Sequence, residues 1–460
     1  MARVFVLWDD SHLWGVLVLR ALRALGTPHQ ILRAHDIAEG ALSGKSGDPA
    51  PVPGSDSSAL LIVPGGWARG RALRLGPGGM AAIRAFVAAG GSYLGFCGGA
   101  GLALTGPKPE DSLGLCPWGR MGFAGRLQHF LSGTVRLDCD AGSALCKPGL
   151  PSLSAPVWWP AQFAPARTGS GGAGGDGVEV LARYAGLGKD FWVGDLDLSL
   201  LPEETLADWE NLYGLQIRPD FLVGRPAVIS GRYGAGRYVL SYPHLETPDS
   251  PEGNAWLAHL LRELGGGDAS LPSGPQAIPH AIPPWPVGQG AARWPDATLL
   301  AAKAAVERAI AVGESHLLLF WRNPWLMGWR RGLPGPGINS LYALLCEALA
   351  AAPTPEAEAY WAARAPEFAR LAELFRSGLS GLLLAERLDM TVRQTPAPAF
   401  QTGDAVAPDQ IFAVSLRETR RALFGTPPAI GGVCGELLAM LEELCARLWG
   451  GAGARAPIDG

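Results

Sequence analysis

Apolar and polar positions alternate over residues 1–265 in a pattern that predicts short buried strands separated by amphipathic helices. Helical periodicity follows the first strand up to about residue 25, precedes the fourth strand at 80–89, and begins again at residue 98. The predicted strands of this part are residues 3–8, 29–33, 59–63 and 92–96. Strands and helices that alternate in this way favour an α/β fold with a mostly parallel sheet and helices on both of its faces.

The pattern is looser after residue 107, where the predicted elements are more widely spaced. Strands are predicted at residues 130–138, 178–184, 227–233 and 238–242, and a helix at 254–264. The strands at 178–184 and 227–233 are predicted to join the sheet as antiparallel additions.

The C-terminal part has a different pattern. Glycine and proline dominate residues 266–295 without apolar periodicity, which predicts an extended, unpacked linker. Over residues 296–450 apolar residues recur at spacings of three and four, which predicts an all-α domain of antiparallel helices. The predicted helices are residues 299–312, 338–351, 366–375, 408–423 and 433–449. The sequence therefore predicts an α/β domain at 1–265, a linker at 266–295 and a helical domain at 296–450.

Composition narrows the classes of function. The 460 residues carry 38 Lys and Arg against 42 Asp and Glu, a formal net charge of −4. There is no basic excess, so nucleic acid is not predicted as a partner. The chain opens on a strand without a basic leader and has no apolar stretch near the ~20 residues that span a bilayer, so we expect a cytoplasmic protein without a transmembrane segment. Its seven cysteines lack paired C-x-x-C spacings, and neither a metal nor a cofactor is predicted.

One cysteine lies in a glycine-rich turn, Gly95-Phe96-Cys97-Gly98-Gly99, at the end of the fourth predicted strand. Glycine on both sides lets the backbone turn sharply from strand into helix. The arrangement is the sulfur counterpart of the nucleophile elbow, which presents one side chain above the end of a sheet. The alternative is a buried cysteine in a glycine-rich core turn, since free cysteine is among the most buried residue types.

A histidine and a glutamate follow the predicted strand at 238–242. His244 and Glu246 are two residues apart, and Pro243 favours a bend out of strand geometry that lets their side chains converge. A thiol becomes a strong nucleophile when a neighbouring base lowers its pKa, and a carboxylate on the other ring nitrogen orients that base.

These motifs resemble those of the class I glutamine amidotransferase superfamily. Its members have a flavodoxin-like α/β fold, a cysteine in a glycine-flanked elbow, a downstream His-x-Glu pair, and a Gly-Gly loop after an earlier strand. Residues 1–265 look most like the N-terminal domain of some biotin–protein ligases and its free-standing bacterial form. The shared motifs are Pro64-Gly65-Gly66, Phe86-Val87-Ala88-Ala89-Gly90-Gly91, Tyr93-Leu94-Gly95-Phe96-Cys97-Gly98-Gly99-Ala100 and His244-Leu245-Glu246.

The resemblance implies a role for five residues. Cys97 is the nucleophile, His244 its base, and Glu246 the group that orients the base. The backbone amides of Gly66 and Gly98 form the oxyanion hole, which needs donors placed where negative charge develops.

The carboxyl ends of the predicted parallel strands, including the one that precedes Cys97, lie along one rim of the sheet. Four further residues follow strands at this rim and are candidate substrate contacts. They are Gly65, Trp67, Asp10 and Ser11. Helix N-capping is the alternative role for Asp10 and Ser11.

Two functions follow from these observations. The first is an amidotransferase-like enzyme with a cysteine nucleophile, an amide or ester hydrolase or acyl transferase acting on a small-molecule or acyl substrate. The second is a non-catalytic binding or regulatory module that docks a protein partner through the helical domain. The glycine-flanked turn at Cys97 favours a reactive thiol. Gly101 stands where members of the superfamily that use glutamine have a Gln, and this argues against glutamine as the substrate.

Tryptophans mark two other places of interest. Residues 320–331 hold three tryptophans and three arginines in twelve positions, which predicts a partner or anion site, a membrane-surface contact, or a buried turn. Trp158, Trp159 and Trp192 are predicted either to line a pocket over the thiol or to pack in the core.

Overall fold

A computed structural model describes residues 3–43, 59–121, 131–165, 177–265, 282–329, 335–394, 408–427 and 429–450. The chain divides into two compact units, with the division between Pro284 and Trp285. Among the described residues, no helix is both long and apolar enough to cross a membrane.

The first unit opens with alternating strands and helices. They are β1 (Arg3–Leu7), α1 (His12–Ala24), β2 (His29–Leu32), α2 (Ala34–Ala38), β3 (Ala59–Val63), α3 (Ala68–Ala88), β4 (Ser92–Phe96) and α4 (Gly98–Ala103). Helix α3 begins well before the predicted start at residue 80 and is interrupted at Gly76, whose φ of 58° lies in the left-handed region and which precedes Pro77.

Strands dominate the remainder of this unit. They are β5 (Trp118–Met121), β6 (Leu131–Cys139), β7 (Ser152–Trp158), β8 (Gln162–Pro165), β9 (Glu179–Val193), β10 (Leu196–Asp197), β11 (Pro226–Tyr233) and β12 (Gly236–Ser241). Two helices accompany them, α5 (Glu203–Tyr213) and α6 (Pro251–Gly265).

The main sheet has the strand order β2-β1-β3-β4-β12-β11-β9-β6-β7. The first five strands are parallel to one another, and β11, β9, β6 and β7 continue the sheet with antiparallel pairings. The α/β fold with parallel central strands is therefore confirmed, as are the antiparallel additions β9 and β11. Strands β5 and β8 form a separate antiparallel pair.

Alternate residues of the parallel strands cover opposite faces of the sheet. On one face, Leu7, Leu61 and Tyr93 share a buried cluster with Ile83 of α3. On the other face lie residues such as Ile62, and α6 packs against β3 and β4. Because parallel strands end at the same edge, the segments after β1, β3, β4 and β12 meet at one rim.

The second unit is mostly helical. Its helices are α7 (Ala297–Ser315), α8 (Gly335–Ala350), α9 (Pro355–Gln394), α10 (Pro408–Phe424) and α11 (Gly432–Trp449). Helix α9 runs through Pro366, where the sequence predicted a helix start.

The prediction of an all-α second domain is wrong in one respect. Strands β13 (Leu319–Asn323) and β14 (Leu326–Trp329) form an antiparallel hairpin inside the tryptophan- and arginine-rich segment. The Asn323 side chain accepts the N–H groups of Trp325 and Leu326, which stabilises the turn between the strands. Trp325 is buried in this turn, as the buried-turn interpretation expects, whereas Arg330 and Arg331 lie outside the described residues.

The structure also differs from the predicted unpacked linker. Ile282, Trp285 and Val287 are buried, and the N–H of Arg293 donates to the Leu349 carbonyl at 2.8 Å. These apolar residues are too few and too irregularly spaced to produce a periodic pattern, so the sequence did not indicate their packing. Residues 266–281 lie outside the described part of the chain.

Candidate active site

Cys97 lies between β4 and α4 at the rim where the parallel strands end. Its backbone has φ 46° and ψ −104°, a conformation that costs free energy for a residue with a Cβ. The N–H of Cys97 donates to the Ser241 carbonyl of β12 at 2.7 Å, which holds the turn in place. The thiol is partly exposed, and its Sγ lies 3.7 Å from the Trp158 carbonyl oxygen. This is the geometry of a nucleophile elbow.

Two glycines let the loop after β3 pack directly on this turn. A Cβ on Gly98 would lie 1.8 Å from the Gly66 carbonyl oxygen, and a Cβ on Gly99 would lie 2.0 Å from the Val63 carbonyl oxygen. A side chain fits at neither position, so backbone contacts backbone. The structure therefore places Gly66 beside Gly98, the two residues whose amides are predicted to form the oxyanion hole.

Gly98→Ala should lower the free energy of unfolding of the first unit by about 1–3 kcal/mol, the usual cost of overpacking a filled site. Gly101→Ala, in the same helix, should leave stability unchanged or raise it by up to about 1 kcal/mol. The reason is space, because the nearest atom to a Cβ at Gly101 is the Ala68 Cβ at 3.7 Å. Urea unfolding of the two variants measures the difference, and equal midpoints would contradict the packing described above.

His244 and Glu246 form a fully buried pair just beyond β12. Nδ1 of His244 lies 2.7 Å from Oε1 of Glu246, and both side chains are 0 % exposed. The chain leaves strand geometry here because the Ser241 hydroxyl donates to the Pro243 carbonyl at 2.7 Å and the His244 N–H donates to the Pro156 carbonyl of β7 at 2.8 Å.

A helix side chain holds the far side of this turn. The Asn254 amide of α6 donates to the carbonyls of Leu245 and Thr247, at 2.8 and 2.9 Å. These bonds explain how the side chains of residues i and i+2, which stand about 7 Å apart on one face of a regular strand, converge here.

Charge couples the histidine to the cysteine. Burial by itself lowers the pKa of His244, but the Glu246 carboxylate and the Cys97 thiolate outweigh it and raise the pKa to about 10. Burial by itself raises the pKa of Cys97, but the interaction with His244, with smaller contributions from Arg120 and the Gly98 N–H, brings that pKa below its ordinary value. Each group therefore favours the charged form of the other.

The ring nitrogen available to the thiol is Nε2, because Nδ1 is bonded to Glu246. Nε2 of His244 is buried and completes no hydrogen bond within the described residues.

Aromatic rings cover His244. The Trp14 indole of α1 stacks on the imidazole with centroids 4.4 Å apart, and it meets Trp158 edge-on at 4.9 Å. A face of the indole placed against a protonated imidazole stabilises the positive charge. Trp14 was not predicted from the sequence; its only signal there is an aromatic residue in the first turn of a helix that starts at the rim. Of Trp158, Trp159 and Trp192, the structure places Trp158 at the thiol, and the Trp192 indole N–H donates to Asp190 on β9.

Arg71 of α3 is fully buried beneath the rim and was also missed. Its guanidinium donates to the carbonyls of Asp9 at 3.1 Å, Pro64 at 2.6 Å and Asp10 at 3.2 Å, to the carbonyl of Gly65, and to the Ser11 hydroxyl at 3.0 Å. One side chain thus ties the loop after β1 to the loop after β3. No local signal in the sequence separates this arginine from the exposed arginines of the same helix.

The side chains of Asp10 and Ser11 both form bonds within the protein, and Ser11 does not cap α1. Ser11 stands at the N-cap position of α1, but its side chain forms no capping bond; its buried hydroxyl donates to the Leu7 carbonyl at 3.1 Å. Asp10 forms an ion pair with Arg74 at 3.2 Å. Ser11 is fully buried, whereas Asp10 is partly exposed and stays a candidate substrate contact.

Gly65 and Trp67 lie beside the predicted triad and stay candidate substrate contacts. A Cβ on Gly65 would lie 2.7 Å from Cε1 of His244, so Gly65 borders the imidazole directly. Trp67 is partly exposed and stands at the N-cap position of α3, one residue after Gly66.

Within the described ranges, no group of three or more His, Cys, Asp or Glu side chains is placed to hold a metal ion. Cys139 and Cys146, which flank a short loop, are both free thiols.

Comparison with known proteins adds one family match. The model of the biotin–protein ligase N-terminal family matches residues 51–105, a segment that contains the Pro64-Gly65-Gly66 loop and Cys97 but ends well before His244. This segment is therefore similar to that family, and the match covers only a small part of the chain. No curated protein sequence matches the chain.

Solved structures match at low similarity. A β-galactosidase from Bacillus circulans sp. alkalophilus is 12 % identical, with 57 % of this chain and 31 % of that chain covered and a TM-score of 0.32. A candidate GMP synthase subunit from Thermoplasma acidophilum is 15 % identical, covering 57 % and 92 %, with a TM-score of 0.32. A ThuA-like protein from Bacteroides uniformis is 12 % identical, covering 57 % and 90 %, with a TM-score of 0.34. The chain spans about a third of the length of the first β-galactosidases that it matches.

Proposed function

We propose that this protein is an amidotransferase-like enzyme with a cysteine nucleophile, which cleaves an amide or ester through a Cys97–His244–Glu246 triad. The observation that carries the proposal is the buried His244–Glu246 pair at 2.7 Å beside a partly exposed thiol in a strained turn. A histidine buried with a carboxylate and next to a thiol is the arrangement that activates a sulfur nucleophile.

The proposed reaction starts with attack of the Cys97 thiolate on the substrate carbonyl carbon. A C–S bond forms, and the carbonyl π electrons move to the oxygen, which the amides of Gly66 and Gly98 stabilise. His244 then gives its proton to the leaving amine or alcohol as the C–N or C–O bond breaks, which leaves a thioester on Cys97. Water or another acceptor then loses a proton to His244 and attacks the thioester carbon. The C–S bond breaks as the acid or the transferred acyl product leaves, which restores the Cys97 thiolate and the protonated His244.

Glutamine is not the proposed substrate. Gly101 offers no side chain where glutamine-using relatives have one, and the position is open, with Ala68 its nearest neighbour. Gly101 also favours the second candidate, a binding or regulatory module that keeps the fold without turnover and docks a protein partner through the helical domain.

Acyl trapping separates the two candidates. We expect p-nitrophenyl acetate to acetylate Cys97 rapidly at pH 7, adding one acetyl group that intact-mass and peptide mass spectrometry locate on this residue, with release of p-nitrophenolate. Glu246→Gln should slow this acylation by roughly 10- to 100-fold, within the range that general acid–base catalysis contributes. Cys97→Ala is the control and should show no acetyl group on the elbow peptide. Acetylation of Cys97 no faster than that of Cys139 would contradict the enzyme and favour the binding module.

A further inference from the structure

An arginine without a partner among the described residues is close enough to the thiol for its charge to lower the pKa of Cys97. Arg120 is exposed on β5, and within the part of the chain that the structure describes its side chain forms no ion pair and no hydrogen bond. Most other arginines at this rim are engaged, such as Arg71 with loop carbonyls and Arg74 with Asp10. An arginine that is held near a reactive group but left unpaired is available for a ligand.

Two sets of contacts hold β5 next to the triad. The N–H of Thr105, just after α4, donates to the Trp118 carbonyl of β5 at 3.0 Å, which fixes the strand to the helix that begins at Cys97. Strand β5 also pairs with β8, where Arg120 lies opposite Phe163. The Phe163 ring stacks on Tyr242 with centroids 4.2 Å apart. Tyr242 is two residues before His244, so β5 is attached to both halves of the triad.

Tyr242 supplies a second unused polar group. Its ring is only 4 % exposed, and its hydroxyl is buried and has no hydrogen-bond partner in the described structure. Burial raises the pKa of Tyr242, the Arg120 charge opposes this rise, and the Cys97 charge adds to it, so the hydroxyl is within electrostatic range of both. A buried hydroxyl without a partner is costly unless a ligand or water completes it.

We propose that Arg120 and the Tyr242 hydroxyl form a subsite for a carboxylate, so that the substrate of the Cys97 site is an acyl or amide compound that carries a carboxylate near the bond to be cleaved. The proposal rests on the function proposed above. Guanidinium groups bind carboxylates through paired, charge-assisted hydrogen bonds, and a hydroxyl donor completes such a site.

Two alkylating reagents test the subsite without any knowledge of the substrate. Iodoacetate and iodoacetamide have the same reactive carbon and leaving group, but iodoacetate carries a carboxylate where iodoacetamide carries a neutral amide. We expect the iodoacetate-to-iodoacetamide rate ratio at Cys97, normalised to that of free glutathione, to be roughly 5- to 10-fold lower in Arg120→Gln than in the wild type, the effect of one partly exposed charge-assisted contact. Tyr242→Phe should lower the same ratio by a smaller factor.

The ratio cancels any change in the intrinsic reactivity of the thiol. Arg237→Gln is the matched control, because it removes the same charge from the opposite end of β12, and its ratio should equal that of the wild type. An unchanged ratio in Arg120→Gln, or an equal fall in Arg237→Gln, would overturn the carboxylate subsite. The absolute rate of the reaction of Cys97 with iodoacetamide measures the reactivity of the thiol separately. A slow rate together with the expected fall of the ratio in Arg120→Gln would refute the proposed enzyme but support the carboxylate subsite.

Discussion

Replacement of His244 by glutamine should slow the alkylation of Cys97 by iodoacetamide by roughly tenfold or more at pH 6.5, since the thiolate is the reacting species. In the wild type the imidazolium lowers the pKa of Cys97, so the thiolate is present at pH values where an ordinary thiol is protonated. Without His244, burial is left as the main influence and raises that pKa. Each unit of increase reduces the thiolate fraction up to tenfold, and the higher nucleophilicity of a more basic thiolate recovers only part of the loss.

The direction in which the alkylation rate of Cys97 changes with pH follows from its interaction with His244. The rate in the wild type should start to rise below the ordinary thiol pKa of about 8.5. It should then stay level up to the pKa of His244, about 10, because the imidazolium persists to that pH. In His244→Gln the rise should begin above pH 8.5. The apparent values belong to the coupled pair rather than to one residue.

Two controls sharpen this experiment. His259→Gln makes the same change at another buried histidine, whose Nε2 contacts the Ala144 carbonyl at 2.9 Å, and it should leave the Cys97 profile unchanged. Cys139 is an internal reference in the same digest, because burial, with Cys146 and Asp138, raises its pKa to about 12. A Cys97 profile identical in the wild type and His244→Gln would remove the basis for an activated nucleophile.

Replacement of Arg71 by methionine should lower the free energy of unfolding of the first unit by about 3–5 kcal/mol, because several hydrogen bonds to one charged group are lost and each contributes about 1.5–3 kcal/mol before partial compensation. Methionine has a similar volume but donates no hydrogen bond. The carbonyls of Asp9, Pro64 and Gly65 would then lose the donor that they share and would stay buried without it. Arg71→Lys should also destabilise, because an ammonium cannot reach so many acceptors at once.

Pulsed labelling of buried thiols in urea measures this effect in each unit separately. Cys116 reports on the first unit and Cys434 on the second, since both are fully buried in the folded protein. Arg69→Met is the matched control on the same helix; its side chain is 56 % exposed and meets Asp111 at 3.4 Å, so its loss should cost at most about 1 kcal/mol. Equal Cys116 midpoints in the two methionine variants would show that Arg71 does not hold the rim together.

Much of the α/β architecture could be predicted because its signals are local. The strand at 59–63 is a continuous apolar run, and the strand at 92–96 is apolar apart from Ser92 and Gly95, which is the pattern of strands buried on both faces in a parallel sheet. The hairpin β13–β14 could not be predicted, since its Trp and Arg residues serve a strand, a turn or a surface equally well. Asn339 of α8 settles that choice: its side chain accepts from the Met327 N–H and donates to the Trp325 carbonyl.

The sequence by itself determined the strand-to-helix turn at Cys97, because only glycine allows backbone to pass so close at positions 98 and 99. It also determined that a histidine and a carboxylate directly follow a strand, whereas the parallel pairing of β12 with β4, which brings them to the rim of Cys97, comes from the tertiary structure. Only the tertiary structure decided which distant groups surround them. Trp14 stacks on a histidine 230 positions away, and Arg71 bonds a hydroxyl 60 positions before it. Such contacts depend on the order of the strands in the sheet and on the face of the sheet against which each helix packs. Neither can be inferred from the pattern of neighbouring residues in the sequence.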